Sequence, residues 1–326
     1  MENYIAFFDL LGIKAIASYN KELYFENINS FQCALKLCSK HLIETRYQIR
    51  AFSDCAYIEC NNITKLFDFF NDLRSTLFLK HIFFNAAITQ GTLSSPPPKN
   101  DNAYICISFN SPDTVKVFSM QTSFSGIGIY IDPALYKNLN KDIQNKYVIK
   151  SAYCIYEKDE LYNKYESYYD LKYQHISPTL AKYLLMNYIE TIALNKKASR
   201  YYLSALITCF NQLSYKELTT HYIDLFLNVN FLSTNKIIFY DLLPIHLMLI
   251  NRLYNSYYDI PENKHNSPNY DISDKIDNII NHSALKEGFD NLLLYSDKLI
   301  SKKNKYLLAN YMSMKMLEDT TNSVLL

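Results

Sequence analysis

Apolar positions along the first 155 residues alternate between a period near two and a period near 3.6, the marks of buried strands and amphipathic helices. Tyr4-Ile5-Ala6-Phe7-Phe8 is an apolar run of strand length, and Asp9-Leu10-Leu11-Gly12 turns it into a helix. The spacing of Phe31, Leu35, Cys38 and Leu42 predicts a long helix from about Glu22 to Glu44. Tyr47–Phe52 and Cys55–Glu59 read as a hairpin with Ser53-Asp54 at its tip. Leu66–Leu79 reads as a helix, Phe83–Thr89 as a strand, and Gly91–Ala103, with Pro96-Pro97-Pro98, as a loop. Ser111-Pro112 has the form of an N-cap with proline at the first helical position, opening a helix to about Thr122. A strand over Gly126–Asp132, a helix from Pro133 and a last strand over Lys146–Ala152 complete one sheet covered by helices, an α+β sandwich.

Strand signals fade after about residue 156. Ser177-Pro178 opens a helix with Leu180, Leu184, Leu185, Tyr188 and Ile192 on one side. Further helices are expected at Ala198–Leu213, Tyr215–Leu227, Asn235–Tyr254, Ser273–Asn281 and Leu285–Leu317, with a loop over Asp259–Asn269. The expected division is an α+β domain over 1–155 and an all-α domain over 156–326.

Composition narrows the chemistry. The 33 basic and 32 acidic residues nearly cancel, which argues against wrapping nucleic acid by bulk charge. Only five glycines occur in 326 residues, and no dinucleotide fingerprint or phosphate loop can be assembled from them. The longest apolar stretch, Ile237–Ile250, is interrupted by Asp241, Pro244 and His246, so no membrane span is expected. Seven cysteines without a C-x-x-C pair, behind an acidic rather than basic N-terminus, predict reduced thiols and a cytoplasmic protein. The spacing of Cys55 and Cys60 fits no zinc pattern, and both read as buried thiols. The histidines are scattered and no nucleophile elbow is present.

Two carboxylates remain. Alone, Asp9 is a turn former and Asp54 an ordinary hairpin residue. If the first strand lies beside the hairpin, both reach one edge of the sheet, where such a pair can hold Mg²⁺ or Mn²⁺ with phosphate oxygens completing the coordination. An ion so held activates a ribose hydroxyl and neutralises a transferring phosphoryl group.

This pattern resembles the class III nucleotide cyclases, the adenylyl and guanylyl cyclase homology domain. That family's first strand ends F-x-D-I-x-G-F and its hairpin carries an I-G-D or similar tip; here Phe7-Phe8-Asp9-Leu10-Leu11-Gly12-Ile13 and Phe52-Ser53-Asp54 stand in those places, the two acids 45 positions apart. Asn85-Ala86-Ala87-Ile88-Thr89-Gln90-Gly91 is similar to the family's next strand, R-x-G-I-x-x-G. The resemblance covers about residues 3 to 150 and implies a ferredoxin-like sandwich that binds a nucleoside triphosphate. It implies metal ligation by Asp9, the Leu10 carbonyl and Asp54. Backbone N–H groups of Leu11, Gly12 and Ile13 would meet the triphosphate. Arg50 falls where the family reads the nucleobase, although an Arg in a strand is more often a solvated residue than a base reader.

The resemblance also implies a head-to-tail homodimer, because the family builds its site between two such domains. Some bacterial antiphage systems use cyclases of this superfamily to make cyclic pyrimidine nucleotides, a type to which a divergent member would belong. The chain departs from the pattern at three places. Val115 and Ser119 fall where the family has a transition-state Asn and Arg, and Asn85 replaces another Arg. Lys116 is the cation expected to substitute, since loss of such a donor commonly costs about 10²–10³ in rate. Two functions therefore stand side by side: a divergent cyclase forming a 3′,5′-cyclic nucleotide and pyrophosphate, and a degenerate module that binds nucleotide and acts through the helical half.

Overall fold

The computed structural model describes residues 2–93, 111–155, 164–174, 176, 178–194 and 196–213. Strand β1 (Tyr4–Leu10) leads through Gly12, left-handed at φ 78°, into α1 (Ile13–Tyr19). Asn20 then turns extended, and its side chain accepts from Leu23 N to cap α2 (Lys21–Cys38). The helix expected to run to Glu44 tightens into a 3₁₀ turn at Ser39–Leu42. The hairpin β2 (Tyr47–Phe52) and β3 (Cys55–Cys60) follows, then α3 (Ile63–Phe78), β4 (Phe84–Gln90) and α4 (Pro112–Ser123). Ser111 caps α4 through its hydroxyl, which accepts from Asp113 N at 3.1 Å.

These strands pair in the order β2-β3-β1-β4, with β3 antiparallel to both neighbours and β1 antiparallel to β4. That is the split βαβ arrangement of a ferredoxin-like sandwich. One sheet face presents Ala6, Phe8, Leu10, Ala56, Ile58, Ala86 and Ile88 to α2 and α3, which answer with Phe31, Leu35, Leu66, Phe70 and Leu73. Phe8 meets Phe31, Phe70 and Phe84 edge-on at 5.5–5.6 Å between ring centroids, the favoured aromatic geometry. On the other face Ile5, Phe7, Tyr57 and Ala87 pack against Val117 of α4.

Strand β5 (Gly128–Ile131) adds parallel to β4. After α5 (Pro133–Asn138) and α6 (Lys141–Tyr147) come β6 (Val148–Ile155) and β7 (Lys164–Leu171), which extend the sheet to seven strands in the order β2-β3-β1-β4-β5-β7-β6. Two elements differ from the sequence reading. The residues Lys146 and Tyr147 end α6 instead of starting the last strand, because Asn140 caps a helix by accepting from Ile143 N. Strand β7 falls inside the stretch read as all-α; Tyr168, Asp170 and Leu171 are all buried, so its two faces show no polar and apolar alternation.

The chain forms two compact units, residues 1–149 with 168–174, and residues 150–167 with 175–326. In the first, Arg74 of α3 is buried and donates to the Leu171 and Lys172 carbonyls and to Asn71 Oδ1, with its guanidinium 3.7 Å from the centre of the Tyr173 ring. In the second, α7 (Pro178–Leu194) packs on α8 (Lys196–Gln212). There β6 is tied to α8 by Ser151 Oγ with Thr208 Oγ1 and by Asn211 Nδ2 donating to the Lys150 carbonyl. The helices expected beyond Leu213, and most of the Gly91–Ala103 loop, lie outside the described residues. No helix among the described residues is long and apolar enough to cross a membrane.

Candidate functional site

The hairpin tip sits beside the end of β1 because of register. Asp9 lies directly opposite Cys55 on β3 and opposite Asn85 on β4, so these three side chains share one face of the sheet. Asp54 is the turn residue just before Cys55, and its carbonyl accepts from Leu10 N at 2.9 Å. Ser53 takes a positive φ of 46° at the tip, and its hydroxyl bonds the Tyr24 hydroxyl of α2 at 3.0 Å. The turn is thus fastened to β1 on one side and to α2 on the other.

The result is a cluster of donor atoms. Asp9, Asp54 and Cys55 each offer one ligand atom, and these atoms lie within 4.8 Å of one another. All three residues are half-buried. Burial first, and then the Asp54 charge, push the Asp9 carboxyl up to about 6, against a smaller downward pull from the Leu10 backbone. Burial, then the charges of Asp9 and Asp54, push the Cys55 thiol up to about 11. Two facing carboxylates half out of water repel one another until a cation or a proton intervenes. Carboxylate oxygens are the donors Mg²⁺ and Mn²⁺ take, so the acid pair fits such an ion.

The other expected residues divide. The Leu10 amide serves the hairpin tip, donating to the Asp54 carbonyl. Leu11 is corrected: its N–H donates to the Phe83 carbonyl at 2.8 Å, so this amide does not face a triphosphate. Gly12 and Ile13 form the entry to α1, with Gly12 exposed and Ile13 buried. Arg50 pairs across from Tyr57, one row along the same face as Asp9 and two strands away.

Lys116 is also corrected. Its Nζ donates to Asp132 Oδ2 and, at 3.0 Å, to Thr89 Oγ1. Thr89 is opposite Ile5, whereas Asn85 is opposite Asp9, so Lys116 is anchored four strand residues, about 13 Å, from the acid pair. Asp132 explains the capture. Although burial opposes ionisation, hydrogen bonds from Lys116, Thr89 and the Ala134 amide hold its carboxyl below the ordinary value. Lys116→Ala is expected to lower stability by about 1 kcal/mol, since half of its side chain is exposed. The loss should be present at pH 7 and fade as the pH falls through the depressed Asp132 value. Thermal melts across pH check this, and Mn²⁺ affinity measured alongside should not move.

Val115 and Ser119 are exposed on α4, and Asn85 is closed off by Gln121 Nε2 and the Phe124 carbonyl. Sequence reasoning missed Cys55 as part of the cluster. Cys60 is fully buried, as expected, but Cys55 faces the two acids. The available signal was its adjacency to Asp54 at the head of a strand.

No family model matches the chain, and no curated protein matches it. Among solved structures it is similar to the guanylate cyclase domain of RhGC from Catenaria anguillulae, determined in complex with GTP. The two are 13% identical over 52% of this chain and 95% of that one, with a TM-score of 0.36.

Proposed function

We propose that the chain is a divergent nucleotidyl cyclase that converts a nucleoside triphosphate into a 3′,5′-cyclic nucleotide and pyrophosphate. The observation that carries this reading is the convergence of Asp9 and Asp54 at one end of the sheet, within 4.8 Å. In the reaction the ribose 3′-oxygen forms a bond to the α-phosphorus, the bond to the β-phosphate bridging oxygen breaks, and the hydroxyl proton passes to solvent. These two residues and the Leu10 carbonyl would hold Mg²⁺ or Mn²⁺, which would supply Lewis acidity to the 3′-hydroxyl and neutralise phosphate charge. Asp9 and Asp54 hold and orient that ion, the Gly12 and Ile13 amides meet the triphosphate, and Arg50 reaches along the same sheet face toward the base.

With Lys116 held by Asp132, the reading leaves the transition-state cation to another residue, and it includes the head-to-tail homodimer that the resemblance implies. The same observation favours a second reading, a module that binds nucleotide without turning it over. Incubation of the purified protein with each ribonucleoside triphosphate and Mn²⁺, with products resolved by mass spectrometry, separates the two. A cyclic product lost in Asp9→Ala and Asp54→Ala supports the cyclase, and a product from CTP or UTP would fit the antiphage type. Metal-dependent nucleotide binding without product supports the module. Cyclic product that persists in both variants sinks the mechanism.

A further inference from the structure

We propose that Cys55 is a third metal ligand, whose thiol admits thiophilic divalent cations such as Zn²⁺ and Co²⁺ to the acid pair alongside the Mg²⁺ or Mn²⁺ of the proposed reaction. The inference rests on the reading of Asp9 and Asp54 as a metal site. Cys55 opens β3 directly across from Asp9 and follows Asp54 in the chain, so one register brings all three donors to one face. Their ligand atoms lie within 4.8 Å of one another, and no other group of three or more His, Cys, Asp or Glu donors comes so close among the described residues.

Asn85, the neighbour of Asp9 on its other side, is engaged by Gln121 and the Phe124 carbonyl, and contributes nothing to the acids. Two carboxylate oxygens at about 2.0–2.2 Å and a sulfur at about 2.3 Å from one ion make a tetrahedral Zn²⁺ set with a fourth position open. Magnesium demands six oxygens in near-ideal octahedral geometry, and a thiol in that shell is a poor donor to it. Coordination displaces the thiol proton to solvent and involves no change of oxidation state. The open fourth position is where a triphosphate oxygen would sit, so the choice of ion bears on the same site.

The test titrates the full chain with Co²⁺ and follows the near-ultraviolet thiolate-to-cobalt charge-transfer absorption, with Mn²⁺ binding followed in parallel by electron paramagnetic resonance. The band should saturate stoichiometrically and vanish in Cys55→Ser and Cys55→Ala. Zn²⁺ affinity should fall by at least the 10- to 100-fold that ligand-supporting residues are commonly worth, about the minimum for a direct ligand. Mn²⁺ affinity, carried by the carboxylates, should stay largely unchanged, which also shows that both variants are folded. A band that persists without Cys55, or no band while Mn²⁺ still binds through Asp9 and Asp54, overturns the thiol assignment and leaves the acid pair standing. Failure of both ions to bind removes the acid pair and the inference with it.

Discussion

Asp54→Ala is expected to weaken Mn²⁺ binding by about 100-fold or more, beyond what supporting residues around a metal contribute, because it removes one of two charged ligands. The parent site should also respond to pH in a stated direction. The folded Asp9 carboxyl is held up to about 6, so below that value a proton occupies the place of the cation. Affinity should therefore fall by about tenfold between pH 7 and pH 5, one decade per pH unit below the Asp9 value. Stability without metal carries the same signature. A carboxyl raised in the folded state contributes stability that is fully present below its unfolded value near 4, and loses it as the pH rises through about 6. Added Mn²⁺ should restore what is lost, and Asp9→Asn should flatten the metal-free profile. Binding isotherms and melts at pH 5, 6 and 7 measure both effects. An affinity that is flat with pH, or untouched by Asp54→Ala, would remove the metal site.

Arg74→Ala is expected to be among the more damaging single changes in the first unit, at about 3 kcal/mol or more. It deletes three hydrogen bonds from a charged donor and a cation–π contact, and leaves the buried Leu171 carbonyl and the half-buried Lys172 carbonyl without that donor. In a unit of the size of the first one a loss of about 3 kcal/mol corresponds to about 6–12 °C in Tm. Arg74→Lys tests the geometry separately from the charge. A single ammonium keeps the charge but lacks the planar fork that serves both carbonyls, so it should recover only part of the loss. Thermal unfolding followed by circular dichroism measures both variants. A shift below about 0.5 kcal/mol for Arg74→Ala, the range of an ordinary surface change, would show that the clamp is idle.

What could be read along the chain was local. The apolar run of β1, the Ser53-Asp54 tip, the Ser111-Pro112 cap and the periodic face of α3 each carry their signal within a few residues, and each appears where expected. What escaped was set by partners distant in sequence. Strand β7 is defined by pairing with β5, through Tyr130 with Asp170 and Ile131 with Tyr169, and nothing near residue 164 announces that pairing. Lys116 has a long flexible stem, and its helix position could not reveal that Asp132 and Thr89 would claim its ammonium. The motif alone points to Leu11, whose amide the Phe83 carbonyl takes. Cys55 could be placed beside Asp54 from the order of residues. Its opposition to Asp9 needed the β1–β3 register.

The bond from Leu10 N–H to the Asp54 carbonyl has a consequence for the strength of the site. It clamps the two backbones at the point where their carboxylates push apart, so the hairpin cannot swing outward to ease the strain. Two acids on free surface loops would drift to separate waters and would have to be gathered again at each encounter with an ion. Here that gathering is completed as the sheet forms, so on the proposed reading an ion would meet a rigid chelator whose convergence entropy is already settled.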